Sequence, residues 1–255
     1  MALPDEDAPI RAADRVLRIL DAVATTPDGM TARELADEVG LSVATTYRLL
    51  GTLTGRGYVV RSPAARFILG RTVDHLGRAM HAQLAVTSGV RAILTQLRDA
   101  ARAPAYLTVF RGDDIAVAYV ADSAAHPAIG QLHVGFTEAA HVTAFGKVML
   151  ADRDAQELRD YLERHGLARI APGSMTNEAG FRDQLDDVRA QQVAIEVDEY
   201  MPHLACIAAP VRSRSGRTVG AVSLSTTTDD FASRAHELER VVRRGAWHVA
   251  SSMSG

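Results

Sequence analysis

"LSVATTYRLLGTL", Leu41 to Leu53, begins one residue after Gly40 and places Ser42 where a helix cap belongs. It carries one Arg and no Lys, Asn or Gln, the side chains whose forked donors and acceptors match base edges in the major groove. At about 100° per residue, Val43, Tyr47, Leu50 and Leu53 fall on one side, which is expected to pack. Ala44, Thr45, Arg48 and Thr52 point the other way. That second stripe is small and polar, so the helix is slim enough to enter a groove. Arg48 suits a guanine or a phosphate, and the threonines suit phosphates or thymine methyls.

Upstream, Val16, Ile19, Leu20 and Val23 recur at helical spacing, and "TPDGM" ends that helix. "TARE" reads as a capping box of Thr31 and Glu34, followed by the apolar stripe Leu35, Ala36 and Val39. Gly40 is a left-handed stop. Helix, tight glycine turn, helix is the helix-turn-helix arrangement. Downstream, "GYVVRSPAARFILG" holds two β-rich runs, 58–61 and 66–69, around a Ser-Pro turn. This is a small wing with Arg61 and Arg66 near its tip, suited to backbone or minor-groove contact. No Asp or Glu lies between Gly40 and Val73, where Arg48, Arg56, Arg61, Arg66 and Arg71 all fall. A basic stretch in a chain of net charge −3 is an electrostatic footprint for DNA, against the plainer reading of a solvated face.

The 255 residues allow one large or two modest domains, and 47% hydrophobic with 23% charged residues is a globular balance. No apolar run is long enough to span a bilayer, and "MALPDEDAPIRAADR" lacks the apolar region of a secretory signal. Cys206 is the single cysteine, which excludes an intrachain disulfide and fits a reducing cytoplasm.

After Ser88 the pattern changes. A helix leads to "AYLTVF" and "IAVAYVAD", a hairpin turning at residues 111–114. Helices follow at 154–166 and 181–191. "ACIAAPVRSRSGRTVGAVSLS" is a second hairpin turning at Ser215-Gly216, and an amphipathic helix over 229–251 closes the chain. The mixture predicts an α+β sheet domain with helices packed on it. Strand alternation puts Ser223 and Ser225 on one face and Val222 and Leu224 on the other. Cys206 and Ala208 likewise oppose Ile207 and Ala209. A face of Ser, Ser, Cys and Ala is too small and polar to fill a core, so it either holds a ligand or admits a closely packed helix.

"RAADRVLRILDAVA", "MTARELADEVGLSVATTYRLLGTLTGRGYVVR" and "RFILGRTVDHLG" resemble, in order and spacing, the N-terminal domain of IclR-type transcriptional regulators. The most specific piece is T-Y-R-L-L-x-T-L-x-x-R-G-Y, Thr46 to Tyr58. "HVTAFGKVMLA" and "VDEYMPHLACIAAPV" followed by "VGAVSLS" are similar to the family's effector domain. The resemblance implies a winged helix-turn-helix over 8–70, a linker helix over 71–87 and a GAF-like antiparallel-sheet domain for effector binding and oligomerisation over 88–255. It implies a cytoplasmic homodimer or homotetramer on a palindromic DNA operator, modulated by a small carboxylate or aromatic acid, with no cofactor and no membrane partner. The DNA set is then Ser42, Ala44, Thr45, Tyr47, Arg48, Thr52, Arg56, Arg61 and Arg66. The effector set is Thr143, Ala144, Phe145, Gly146, Asp198, Glu199, His203, Cys206, Ala208, Ser223 and Ser225. Gly146 lets the backbone approach closely, and N–H groups there are expected to receive an anion. Where the family often has a basic residue and a serine this chain has Val43 and Ala44, and His203 replaces a usual glycine. His203 is expected to reshape the pocket mouth.

Other readings are weaker. Lys147 beside glycine resembles a Schiff-base lysine, and His203 with Cys206 a thiol–imidazole pair, but odd spacing on a strand sends two side chains to opposite faces. His126, His133, His141 and His203 match no zinc spacing. The expectation is therefore a regulator, not an enzyme. The alternative is a ligand-binding interaction module whose helix-turn-helix docks protein.

Overall fold

The computed structural model describes residues 10–83, 86–137 and 139–253. The chain divides after Gln83 into two compact units. Residues 8, 9, 84, 85, 138, 254 and 255 of the expected segments lie outside the described residues.

In the first unit, α1 (Arg11–Ala24), α2 (Ala32–Val39) and α3 (Val43–Gly55) surround a core of Ile19, Val23, Leu35, Val39, Leu50 and Leu53. The capping box at α2 is complete: Thr31 Oγ1 accepts from the Glu34 N–H at 3.2 Å, and Glu34 Oε2 accepts from the Thr31 N–H at 2.7 Å. Gly40 ends α2 at φ 66°, a conformation that side chains with a Cβ adopt reluctantly. β1 (Val59–Arg61) and β2 (Phe67–Leu69) pair antiparallel as the wing, and α4 (Arg71–Gln83) follows.

The second unit is built on a five-stranded antiparallel sheet of order β4-β3-β7-β6-β5. Its strands are β3 (Ala105–Arg111), β4 (Asp114–Ala121), β5 (Ala194–Val197), β6 (Leu204–Arg212) and β7 (Thr218–Thr227). One face packs on α5 (Ser88–Ala101) and α9 (Thr228–Met253) through Leu94, Leu107, Ile207, Val222, Leu224 and Val242. The other is covered by α6 (Ala144–Ala151), α7 (Ala155–His165), α8 (Glu178–Gln191) and the segment around Leu132 and Phe136. β6 and β7 alternate as expected: Ile207, Ala209, Val222 and Leu224 join the first core, Cys206, Ala208 and Ala221 the second.

Two differences from the sequence reading have physical causes. Edge strand β5 went unread because its pattern is inverted: Glu196 is buried while Ile195 and Val197 are each 42% exposed. On α3 the buried side is centred on Thr46, Leu50 and Leu53, not on Tyr47. Thr46 can be buried because its hydroxyl donates back to the Ser42 carbonyl at 3.1 Å. Val43 and Tyr47 do not pack as expected; they are 37% and 50% exposed.

Candidate functional site

Ser42 caps α3 through Oγ, which accepts from the Thr45 N–H at 3.2 Å. Its hydroxyl also reaches Thr45 Oγ1 at 2.9 Å, leaving the threonine methyl and one proton free to turn outward. Beyond this cap, Ala44, Tyr47, Arg48, Gly51 and Thr52 form an exposed stripe. The tyrosine therefore adds an aromatic ring and a phenol to the face that the wheel had left to Arg48 and threonines. Among the described residues, the side chains of Arg48, Arg56 and Arg61 have no ion-pair partner, and all three are exposed.

Arg66 is placed differently. Its guanidinium donates to the Gly29 carbonyl at 2.7 and 3.0 Å and pairs with Glu34 Oε2 at 3.1 Å. Phe67 exchanges two backbone hydrogen bonds with Met30 beside it, at 2.6 and 3.0 Å. Arg66 thus fastens the wing to the α1–α2 turn through Nε and Nη2, which fixes where Arg61 stands.

In the second unit, the sheet face under α6 carries rows of small and polar side chains. Register places Glu196 beside Cys206 and Cys206 beside Ser225; Ala208 pairs with Ser223, and Ser223 with Tyr106. All six are buried. Tyr106 Oη and Ser225 Oγ lie 3.0 Å apart, and the Ile129 N–H donates to Tyr106 Oη at 3.1 Å. Burial pushes the Tyr106 phenol up to about 12, so it stays protonated and available as a donor. Ser223 Oγ and Thr108 Oγ1 have no hydrogen-bond partner among the described residues.

Glu196 is the most unusual member. Its Oε1 accepts from the Glu199 and Tyr200 N–H groups at 3.0 and 2.9 Å, while Oε2 has no partner among the described residues. Burial outweighs those two bonds and raises its carboxyl to about 7. The Cys206 thiol, buried beside that carboxyl, is pushed well above its ordinary value by the same desolvation, which makes it an inert thiol.

The α6 N-terminus contributes Thr143, Ala144, Phe145 and Gly146, all buried. A Cβ on Gly146 would sit 2.0 Å from the Ala140 carbonyl oxygen, so only glycine fits this turn. Its N–H, expected to receive an anion, is already taken by Thr143 Oγ1 at 3.3 Å. Lys147 is 2% exposed and donates to Glu199 Oε1 at 2.5 Å, tying α6 to the loop after β5. Over this layer Phe136 meets Phe145 and Tyr200 edge-to-face, with centroids 6.4 and 5.7 Å away. Asp198 and His203 stand in the loop between β5 and β6, both at positive φ (59° and 63°), and Asp198 Oδ1 accepts from the His203 N–H at 2.6 Å. His203 is exposed, away from the buried Cys206. Asp198 and His203 thus shape a turn, while Glu199, Cys206, Ala208, Ser223 and Ser225 gather under α6. Sequence reasoning missed Tyr106 and Glu196. Both follow from parity once β3 and β5 are set beside β7 and β6.

The family model for the bacterial transcriptional regulator IclR C-terminal domain matches residues 79–250, and that for the IclR helix-turn-helix domain matches residues 12–63. The HTH-type transcriptional regulator BhcR of Paracoccus denitrificans is 29% identical over 226 residues, covering 88% of this chain and 80% of that one. A solved transcriptional regulator from Rhodococcus sp. RHA1 superposes with a TM-score of 0.76 at 25% identity, over 95% of this chain and 98% of the other. An IclR homologue from Microbacterium hydrocarbonoxydans, solved with 4-hydroxybenzoate, superposes with a TM-score of 0.75 at 19% identity, again over 95% and 98%. Two family models, one over the three helices and first wing strand and one over the sheet domain, make the assignment: this chain belongs to the IclR family of transcriptional regulators, and it is a regulator rather than an enzyme.

Proposed function

We propose that this chain is a ligand-responsive DNA-binding regulator that reads a palindromic operator as a dimer or dimer of dimers, in the cytoplasm. The observation that carries the DNA half is the exposed stripe Ala44, Tyr47, Arg48 and Thr52 on α3, backed by the buried Thr46, Leu50 and Leu53. Arg48 reads a base or anchors a phosphate, Tyr47 and Thr52 add apolar and hydroxyl contacts, and Ser42 and Thr45 hold the helix start against the backbone. Arg56 and Arg61 supply phosphate contacts, and Arg66 acts by holding the wing.

The effector half rests on the buried polar face of Tyr106, Glu196, Cys206, Ser223 and Ser225 beneath α6. A small aromatic or carboxylic acid suits it, and one homologue of the same fold was solved with 4-hydroxybenzoate. Such a ligand enters by displacing the Phe136–Tyr200 cover, and regulation requires that it bind the DNA-competent and DNA-incompetent states unequally.

Fluorescence anisotropy on a DNA fragment from the chain's own upstream region tests the DNA half. Arg48→Ala is expected to weaken binding by at least about tenfold, and wild-type binding should fall steeply with salt. Binding that survives Arg48→Ala intact would mean that α3 does not read the DNA through Arg48, and the absence of salt-sensitive binding favours the alternative of a protein-docking helix-turn-helix.

A further inference from the structure

At the far end of β7 from Ser225 lies a cavity of about 470 Å³, within the range of small-molecule pockets. Its apolar wall is made by Phe110 and Val219, backed by the buried Met149, and its rim by the β6–β7 hairpin with Ser213, Ser215 and Arg217. The Arg153 guanidinium lies 4.5 Å over the Phe110 ring, so that wall is a stacked, planar surface.

The charges around the cavity are matched with one exception. Glu157 accepts from Arg153 and from the Asp154 N–H, each at 3.0 Å. Asp152 accepts from the Thr218 N–H at 2.7 Å and from Arg212 at 3.4 Å. Arg217 alone among these arginines has a guanidinium with no acceptor among the described residues. The hairpin that carries it is held stiffly. Ser213 accepts from the Gly216 N–H at 2.9 Å and donates its own N–H to the Arg217 carbonyl at 2.9 Å, and Arg212 binds Gln192 Oε1 and the Gly216 carbonyl. The stiff hairpin fixes where the Arg217 backbone stands beside the apolar wall, and its exposed, unpaired guanidinium is free to turn toward an anion there.

We propose that this cavity is a second small-molecule site, separate from the polar face under α6, for a monoanionic organic acid. Its carboxylate pairs with Arg217, and its compact apolar or aromatic body rests on Val219 and the Arg153-covered Phe110. The two sites share α6: Phe145 and Gly146 lie at its N-terminal end, and Met149 is in its last turn.

The test is fluorine NMR titration of the full chain with 4-fluorobenzoate and with neutral 4-fluorobenzamide. Arg217 is exposed and makes no side-chain contact on which folding depends, so Arg217→Glu and Arg217→Gln are expected to melt like wild type. The face under α6 also suits aromatic acids, so the titration is run in Ser223→Val, which fills that face. There the site predicts that 4-fluorobenzoate binds at least about tenfold more tightly than the amide, because a charge-assisted hydrogen bond is lost with the carboxylate. Adding Arg217→Glu or Arg217→Gln is expected to cost a similar factor. Benzoate binding unchanged by both Arg217 substitutions, equal binding of the amide, or no binding to Ser223→Val at millimolar probe would each overturn it.

Discussion

The two faces of the sheet are cut from the same strands by alternation, yet they are built to opposite ends. Toward α5 and α9, β3, β6 and β7 present Leu107, Ile207, Ala209, Val211, Val222 and Leu224, which need nothing but neighbours. Toward α6, the same strands present Tyr106, Thr108, Cys206, Ala208, Ser223 and Ser225, with Glu196 added from β5. On that second face Thr108 Oγ1, Ser223 Oγ and Glu196 Oε2 have no partner among the described residues. Each buried polar group left so costs about 1–3 kcal/mol. The first face is therefore held by apolar packing alone, while the second gives up stability, the cost that the proposed effector role requires of it.

Substitutions that exchange the character of the faces should separate these roles. The largest effect belongs to Leu224→Ala, which empties a side chain 1% exposed on the α5/α9 face. It should lower stability by about 3 kcal/mol in denaturant titration, within the usual range for buried leucine. A loss well under about 1 kcal/mol would show that this face is looser than its packing.

Next comes Glu196, whose carboxyl is raised to about 7 from an ordinary 4.5. Below about pH 4 the folded and unfolded chains both carry the proton. Between about 4.5 and 7 the unfolded chain gives it up first, so stability falls as pH rises, and above 7 the loss levels off. The full swing is up to about 3 kcal/mol, and Glu196→Gln should remove it, making the variant the more stable form at pH 8. Chemical denaturation of both forms at pH 4.5 and pH 8 measures the difference; a variant that tracks wild type at both pH values would show that Glu196 titrates normally. The smallest effect is expected at Ser223→Ala. Removing a buried hydroxyl that has no protein partner should stabilise the fold by about 1 kcal/mol, the relief of its desolvation less the small void it leaves. A cost above about 1 kcal/mol would mean that the hydroxyl is satisfied.

What was legible beforehand follows the same division. β6 and β7 alternate regularly, so Cys206, Ala208, Ser223 and Ser225 could be put on one face from parity alone. β5 could not be read, because an edge strand that buries a glutamate and exposes an isoleucine carries its hydrophobic signal reversed. Tyr106 looks like any strand aromatic until register sets it against Ser223. On α3 the wheel placed Leu50 and Leu53 correctly but took Tyr47 for core, because a buried threonine paired to its own helix is invisible to hydropathy. The structural duty of Arg66 depends on the Gly29 carbonyl thirty-seven residues earlier, which no local pattern reveals.

The central claim is that the polar face under α6 is the effector seat. Thermal melting of the full chain with a panel of small aromatic and aliphatic acids, 4-hydroxybenzoate included, tests it most directly when run on wild type, Arg217→Glu and Arg217→Glu carrying Ser223→Val. The account predicts that at least one acid raises the Tm of wild type and of Arg217→Glu, and that adding Ser223→Val to Arg217→Glu removes the shift by filling the face. A shift in Arg217→Glu that survives the added Ser223→Val undiminished, or a wild-type shift that vanishes in Arg217→Glu alone, would contradict it.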